Sequence, residues 1–139
     1  MTDMQKSNGL PEKFLARLEE LYPQDVLSGV LQAYEQKLAP SFRVNTLKAT
    51  TVDVRNALTE LGYEITPVSW YTDAFVMHNK SIRELTETEI CMKGCIYIQN
   101  LSSMIPALVM DPKPDEKILD IAAAPGSKTT QIAALMKNT

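Results

Sequence analysis

The sequence predicts an α/β protein: a small N-terminal helical and α+β module, then the first strand, loop and helix of a doubly wound, Rossmann-like sheet. Three observations predict it. Apolar residues recur at helical spacing through roughly the first 35 positions. From residue 41 an alternating strand pattern is followed by a helix pattern and two further strand patterns. Beyond residue 116 an apolar run, a glycine-containing loop and a helix pattern follow one another, which is the opening unit of a nucleotide-type sheet.

The elements follow in order. Leu10-Pro11-Glu12 opens a first helix, with Pro11 at its first position. Phe14, Leu15, Leu18, Leu21 and Tyr22 share one face, the spacing of a core stripe. Pro23 starts a second helix, striped by Val26, Leu27, Val30, Leu31 and Tyr34, and Pro40 closes the region. Ser41 to Leu47 alternates as a strand. Thr50 or Thr51 caps a third helix, which carries Val54, Ala57, Leu58 and Leu61 and stops at Gly62. Tyr63–Thr66 and Trp70–Met77 read as strands, Ser81–Lys93 as a polar, acidic stretch, and Cys95–Ile98 as a short strand. Leu101–Met110 is an apolar helix that Ser102 and Ser103 help begin. Asp111-Pro112-Lys113-Pro114-Asp115 is a turn-rich linker. Lys117–Ile121 is a strand, Ala122–Gly126 a tight loop, and Ser127–Lys137 a helix.

Composition narrows the function. The 139 residues suit about one domain and are 45% hydrophobic, enough for a real core. With 14 basic and 17 acidic residues the net charge is −3, which excludes a generally nucleic-acid-coating protein. A local basic patch on an enzyme stays open. Met1–Gly9 carries Asp3 and Lys6 and no apolar stretch, so it is no secretory signal. The longest apolar run, Met104–Met110, is far below the roughly 20 residues that span a bilayer. A cytoplasmic location is expected. Cys91 and Cys95 are then reduced, small core residues, and a lone C-x-x-x-C lacks the other ligands of a metal site. No metal is expected, and His78 has no partner near it in sequence.

Chemistry concentrates at residues 117–137. A helix start presents unpaired N–H groups and the positive end of a dipole, which suits an anionic group. Gly126 has no Cβ and lets backbone approach a ligand. Asp120 can fix the loop by accepting its N–H groups. Lys128, a cation in the first helical turn, breaks a local electrostatic rule, and such a breach flags function. A phosphate-loop reading of Gly126-Ser127-Lys128-Thr129 fails on spacing: Ser127 separates glycine from lysine, and Ile121 stands where the first glycine belongs. On pattern alone, a structural turn with an exposed lysine remains open.

Ile118-Leu119-Asp120-Ile121-Ala122-Ala123-Ala124-Pro125-Gly126-Ser127-Lys128-Thr129-Thr130-Gln131-Ile132-Ala133 resembles motif I of the RNA cytosine-C5 methyltransferases, the NOL1/NOP2/Sun family. Arg43-Val44-Asn45-Thr46-Leu47-Lys48 is similar to the family's N-terminal R-V-N-T-L-K signature. Tyr97-Ile98-Gln99-Asn100-Leu101-Ser102-Ser103-Met104-Ile105-Pro106 is similar to its Y-x-Q-[ED]-x-S-S-M-x-P segment, with Asn100 in the usual acidic place. The loop and Trp70-Tyr71…Phe75 most resemble the bacterial RsmF-like branch, which modifies small-subunit ribosomal RNA.

The resemblance implies S-adenosylmethionine as cofactor, held by Ala122, Ala123, Ala124, Pro125, Gly126, Ser127 and Lys128. It implies a module at residues 1–93 of RNA-binding type, and the beginning of the methyltransferase domain at 94–139. Arg43, Asn45 and Lys48 become candidate RNA contacts, since phosphate contacts position a nucleic acid without reading it. The alternative is that Arg43 and Asn45 brace the strand or the contact between modules. Trp70 and Tyr71 could stack a base or simply pack. Gln99, Ser102 and Ser103 fall near the methionine end of the cofactor, or, for Ser102, cap the helix. The family's chemistry is covalent: a cysteine thiolate adds to the base, and carbon 5 takes the methyl group. Cys91 and Cys95 precede the loop and match neither family cysteine motif, so no catalytic residue is assigned. The chain is expected to be an N-terminal fragment, inactive alone, with weak cofactor affinity and self-association through the 117–121 strand edge. A stand-alone RNA-binding or scaffold module is the alternative.

Overall fold

The computed structural model describes residues 10–36 and 38–139, in two compact units that divide between Leu38 and Ala39. The reading of Met1–Gly9 lies outside the described residues.

The first unit holds two helices, α1 (Glu12–Leu21) and α2 (Gln24–Glu35). Pro11 and Pro23 are the N-caps, one position before the first helical residue, with extended ψ of 138° and 151°. Leu18 and Leu27 are buried, and Phe14 meets Tyr34 edge to face at 5.5 Å between centroids.

The second unit is built on a four-stranded antiparallel sheet in the order β2-β3-β1-β4. The strands are β1 (Ser41–Val44), β2 (Ile65–Val68), β3 (Tyr71–Met77) and β4 (Ile96–Ile98). Four buried residues in succession make β1 the interior strand between β3 and β4. Pro67 sits in edge strand β2 at a register shift, where a missing N–H is tolerated.

Each face of the sheet has its own cover. Phe42, Val44, Phe75 and Met77 point to one side and pack with Val54 and Leu58 of α3 (Thr51–Glu60). Phe42 and Phe75 are direct cross-strand partners, stacked at 5.5 Å. Thr50 caps α3 by accepting the Asp53 N–H, and Gly62, at φ +76°, ends it. The stretch expected to be merely polar, Ser81–Lys93, contains two short helices, α4 (Ile82–Thr86) and α5 (Glu89–Met92). Ser81 and Glu84 form a reciprocal capping box, and Leu85 reaches the same core. Local capping plus one buried leucine outweighs the polar composition. Cys91 and Cys95 pack against this core, as expected of small apolar thiols.

Val68, Tyr71 and Ala74 face the other side and meet Met104 of α6 (Leu101–Met110). Asn100, not Ser102, is the N-cap of α6. Helix α7 (Ser127–Leu135) packs on α6. The division expected at 93/94 has sheet on both sides, because β4 follows it and pairs with β1.

The mixed α/β class stands, but the sheet is antiparallel. Residues 117–121, read as a parallel strand, have no ladder partner among the described residues. Leu119 and Ile121 are 84% and 94% exposed. Apolar, strand-prone sequence is not enough, because a strand exists only where a neighbour takes its N–H and C=O groups. No helix of the described residues is long and apolar enough to cross a membrane.

Candidate functional site

The loop between residue 120 and α7 is organised by one carboxylate. Asp120 Oδ1 accepts the Ala122 N–H at 3.0 Å, and Oδ2 accepts the Thr129 hydroxyl at 2.6 Å. These two bonds, with the Lys128 charge nearby, hold the Asp120 carboxyl below its ordinary pKa. The expected role of Asp120 in fixing the loop is what the geometry shows.

The chain then turns through a cis Ala124–Pro125 bond to Gly126, the N-cap of α7, at φ +100°. A side chain at this φ is strained, whereas a Cβ would meet only Thr130 Cγ2, at 3.9 Å. Space beside the glycine is therefore open, and its left-handed backbone is what requires glycine. Ala122–Pro125 and Lys128 are exposed, and Gly126 and Ser127 are partly so. The candidate cofactor residues thus form one accessible turn at a helix N-terminus. Asp120, Ala123 and Thr129 also line a hollow of about 520 Å³ with Ile132, Ala133 and Met136.

Arg43, Asn45 and Lys48 do not form one surface patch. Arg43 is 1% exposed. Its Nε donates to Gln99 Oε1 at 3.0 Å, and its Nη2 donates to Ser127 O at 3.1 Å and Thr130 Oγ1 at 2.8 Å. Its guanidinium lies 5.1 Å from the Tyr97 ring centroid, and burial lowers its pKa. Asn45 donates to Gly94 O and accepts the Leu47 N–H, closing the turn after β1. Lys48 is exposed, and its Nζ donates to Lys93 O.

Gln99 and Gln131 complete a buried polar network. Gln99 Nε2 donates to Ser103 O and to Gln131 Oε1, and Gln131 Nε2 donates to Met104 O. No described buried side-chain polar atom is left without a partner. Sequence reasoning missed Thr130 and Gln131. A glutamine inside an otherwise apolar helix stripe was the available signal, since a buried amide must find partners. Cys91 lies in the other core, and burial raises its thiol pKa, the reverse of nucleophile activation.

A glycine turn fixed by a carboxylate at a helix start lies beside the antiparallel sheet of an α/β protein. Residues 10–101 match the N-terminal domain of 16S rRNA methyltransferase RsmF, and residues 107–139 match 16S rRNA methyltransferase RsmB/F. The chain belongs to the RsmF family. It is 40% identical over 139 residues to ribosomal RNA small subunit methyltransferase F of Vibrio cholerae, covering 97% of this chain and 29% of the relative. To the Escherichia coli protein of the same name it is 38% identical over 133 residues, covering 92% and 28%. The chain therefore spans less than a third of these relatives. Among solved structures, a methyltransferase homolog protein from Pyrococcus horikoshii shares 38% identity at TM-score 0.73, covering 94% of this chain and 42% of that one. NSun6 from Pyrococcus horikoshii with SFG shares the fold, at TM-score 0.77 and 18% identity, covering 93% and 56%.

Proposed function

We propose that this chain is the N-terminal part of an S-adenosylmethionine-dependent methyltransferase that acts in the cytoplasm on cytosine carbon 5 of 16S ribosomal RNA. The observation that carries the reading is the Asp120-fixed turn ending in left-handed Gly126 at the start of α7. The residues present fit the cofactor. The first-turn N–H groups of α7 and the Lys128 charge suit the carboxylate of its methionine part. The open side of Gly126 admits it without a Cβ in the way. When bound, S-adenosylmethionine supplies the methyl group. In this reading Ala122–Lys128 hold and orient it, and the domain that completes the pocket opens within 94–139.

The N-terminal module expected at residues 1–93 is proposed to help hold RNA. Among the three candidate contacts, Lys48 has the exposure for a phosphate. Arg43 and Asn45 spend their hydrogen bonds internally. The attacking thiolate is proposed to come from outside this chain, because neither Cys91 nor Cys95 lies at the loop.

Labelled S-adenosylmethionine and unmodified 16S RNA test the reading. The full-length protein transfers label to cytosine carbon 5, and the 139-residue chain alone transfers none. Transfer by the pure chain would remove the need for a thiolate from elsewhere. RNA binding without transfer by the full-length protein would favour the stand-alone RNA-binding module.

A further inference from the structure

Arg43 and Tyr97 are direct cross-strand partners, one on β1 and the other on β4. From that one rung, both side chains reach the turn at Gly126, and they take opposite sides of it. Tyr97 Oη donates to Pro125 O at 3.3 Å, just before the glycine. Arg43 Nη2 donates to Ser127 O and Thr130 Oγ1, just after it. Thr130 itself donates from N and Oγ1 back to Gly126 O, at 2.9 and 2.6 Å. The arginine is buried, and its hydrogen-bond acceptors, Gln99 Oε1, Ser127 O and Thr130 Oγ1, are neutral, with one aromatic ring facing it. Burying a cation this way is costly unless each contact is held in place. The cost falls on a residue that joins the sheet to the start of α7.

We propose that the Arg43–Tyr97 pair is a clasp by which the antiparallel sheet positions the 122–128 turn. Gln99 holds Arg43 Nε and, through Gln131, ties the same arginine to the buried side of α7. Arg43 is thus a positioning residue and touches no RNA. The clasp rests on the proposed function only for what the turn carries. Left-handed backbone at Gly126 is strained for other residues and offers the helix a loose entry; a grip on both flanking carbonyls sets the direction of the first-turn N–H groups. A planar guanidinium reaches Gln99, Ser127 and Thr130 together, which a lysine ammonium on a flexible stem does not.

Two measurements on Arg43→Gln, Arg43→Lys and Tyr97→Phe test this. The first is amide hydrogen exchange in the 139-residue chain. Arg43→Gln speeds exchange across 126–131 about tenfold, the scale of a lost hydrogen bond to a charged group. Arg43→Lys recovers part of the protection, and Tyr97→Phe speeds the turn by about twofold. Amides of β1 and β3 stay protected in Tyr97→Phe, so this variant decides if Arg43→Gln unfolds the sheet. Unchanged exchange at 126–131 in Tyr97→Phe and Arg43→Lys overturns the clasp. The second is binding by the full-length protein. S-adenosylmethionine affinity falls about tenfold in Arg43→Gln while affinity for 16S RNA changes less than about twofold. The reverse split makes Arg43 an RNA contact and overturns the clasp. If exchange responds as stated and the wild-type protein binds no S-adenosylmethionine, the clasp stands and the proposed function falls.

Discussion

Residues 41–110 and residues 111–139 draw on the same kinds of side chain and reach different degrees of order. In the first region each strand has a ladder partner, and both sheet faces are covered, by α3 and α4 on one side and by α6 on the other. In the second, Ile118, Leu119 and Ile121 are as apolar as Phe42 or Val44 and remain exposed. Besides the packing of α7 on α6, what holds the second region is polar: Asp120 on the loop, Arg43 and Tyr97 on the turn, and the glutamine pair beneath α7. The contrast teaches that apolar sequence becomes a strand through its neighbours, whereas a ligand-type turn can be set by a few placed hydrogen bonds.

The largest expected effect tests the contrast itself. Leu58 is fully buried in the first core, and Leu119 is 84% exposed. Leu58→Ala is expected to lower stability by about 3 kcal/mol, through lost burial and a cavity. Leu119→Ala is expected to change it by less than about 0.5 kcal/mol. Urea unfolding of the 139-residue chain measures both, and equal losses would erase the distinction between the regions.

Much of the first region was legible in sequence because its signals are local. Helix α6 falls at Leu101–Met110 as read, and α3 follows from Thr50 and Gly62. β1 lies within the alternating stretch 41–47, ending at Val44, and β3 lies within the strand read at Trp70–Met77. Helix α4 was missed although Ser81-x-x-Glu84 announces a capping box. The antiparallel partnership of β4 with β1 was not legible, since no local pattern states a pairing such as Arg43 with Tyr97, far apart in the chain. For the site, Asp120 and Gly126 could be read from the chemistry of a helix start. For Arg43 the sequence left an RNA contact and an internal brace both open, because the choice depends on whether the other face of the strand is covered, here by α6 and α7.

A middle-sized effect sharpens the comparison at the exposed strip. Ile118, Leu119 and Ile121 offer an apolar surface that a second copy of the chain can cover. Light scattering is expected to show apparent mass rising with concentration, and Leu119→Lys is expected to keep the chain monomeric. Concentration-independent mass in the wild-type chain would show that the strip needs no cover.

The smallest effect is on pH. Hydrogen bonds from Thr129 and Ala122, with the Lys128 charge, depress the folded pKa of Asp120. A depressed carboxylate stabilises the turn above its ordinary unfolded pKa, about 3.9. That stabilisation is lost as pH falls through the lower, folded value. Protection of the Ala122 amide is therefore expected to hold at neutral pH and decline below about pH 4, while β1 and β3 keep theirs. Asp120→Asn is expected to make Ala122 protection insensitive to pH. A decline centred above pH 5 in the wild type would assign the turn to another group.

The central claim, that the turn at Gly126 receives the methyl donor, is tested most directly by calorimetric titration of the full-length protein with S-adenosylmethionine. Wild type and Gly126→Val are compared. At φ +100° a β-branched side chain strains the backbone and fills the open side of the turn, so the variant is expected to bind at least about tenfold more weakly. Equal dissociation constants for the two proteins would contradict the claim and remove Gly126 from the site.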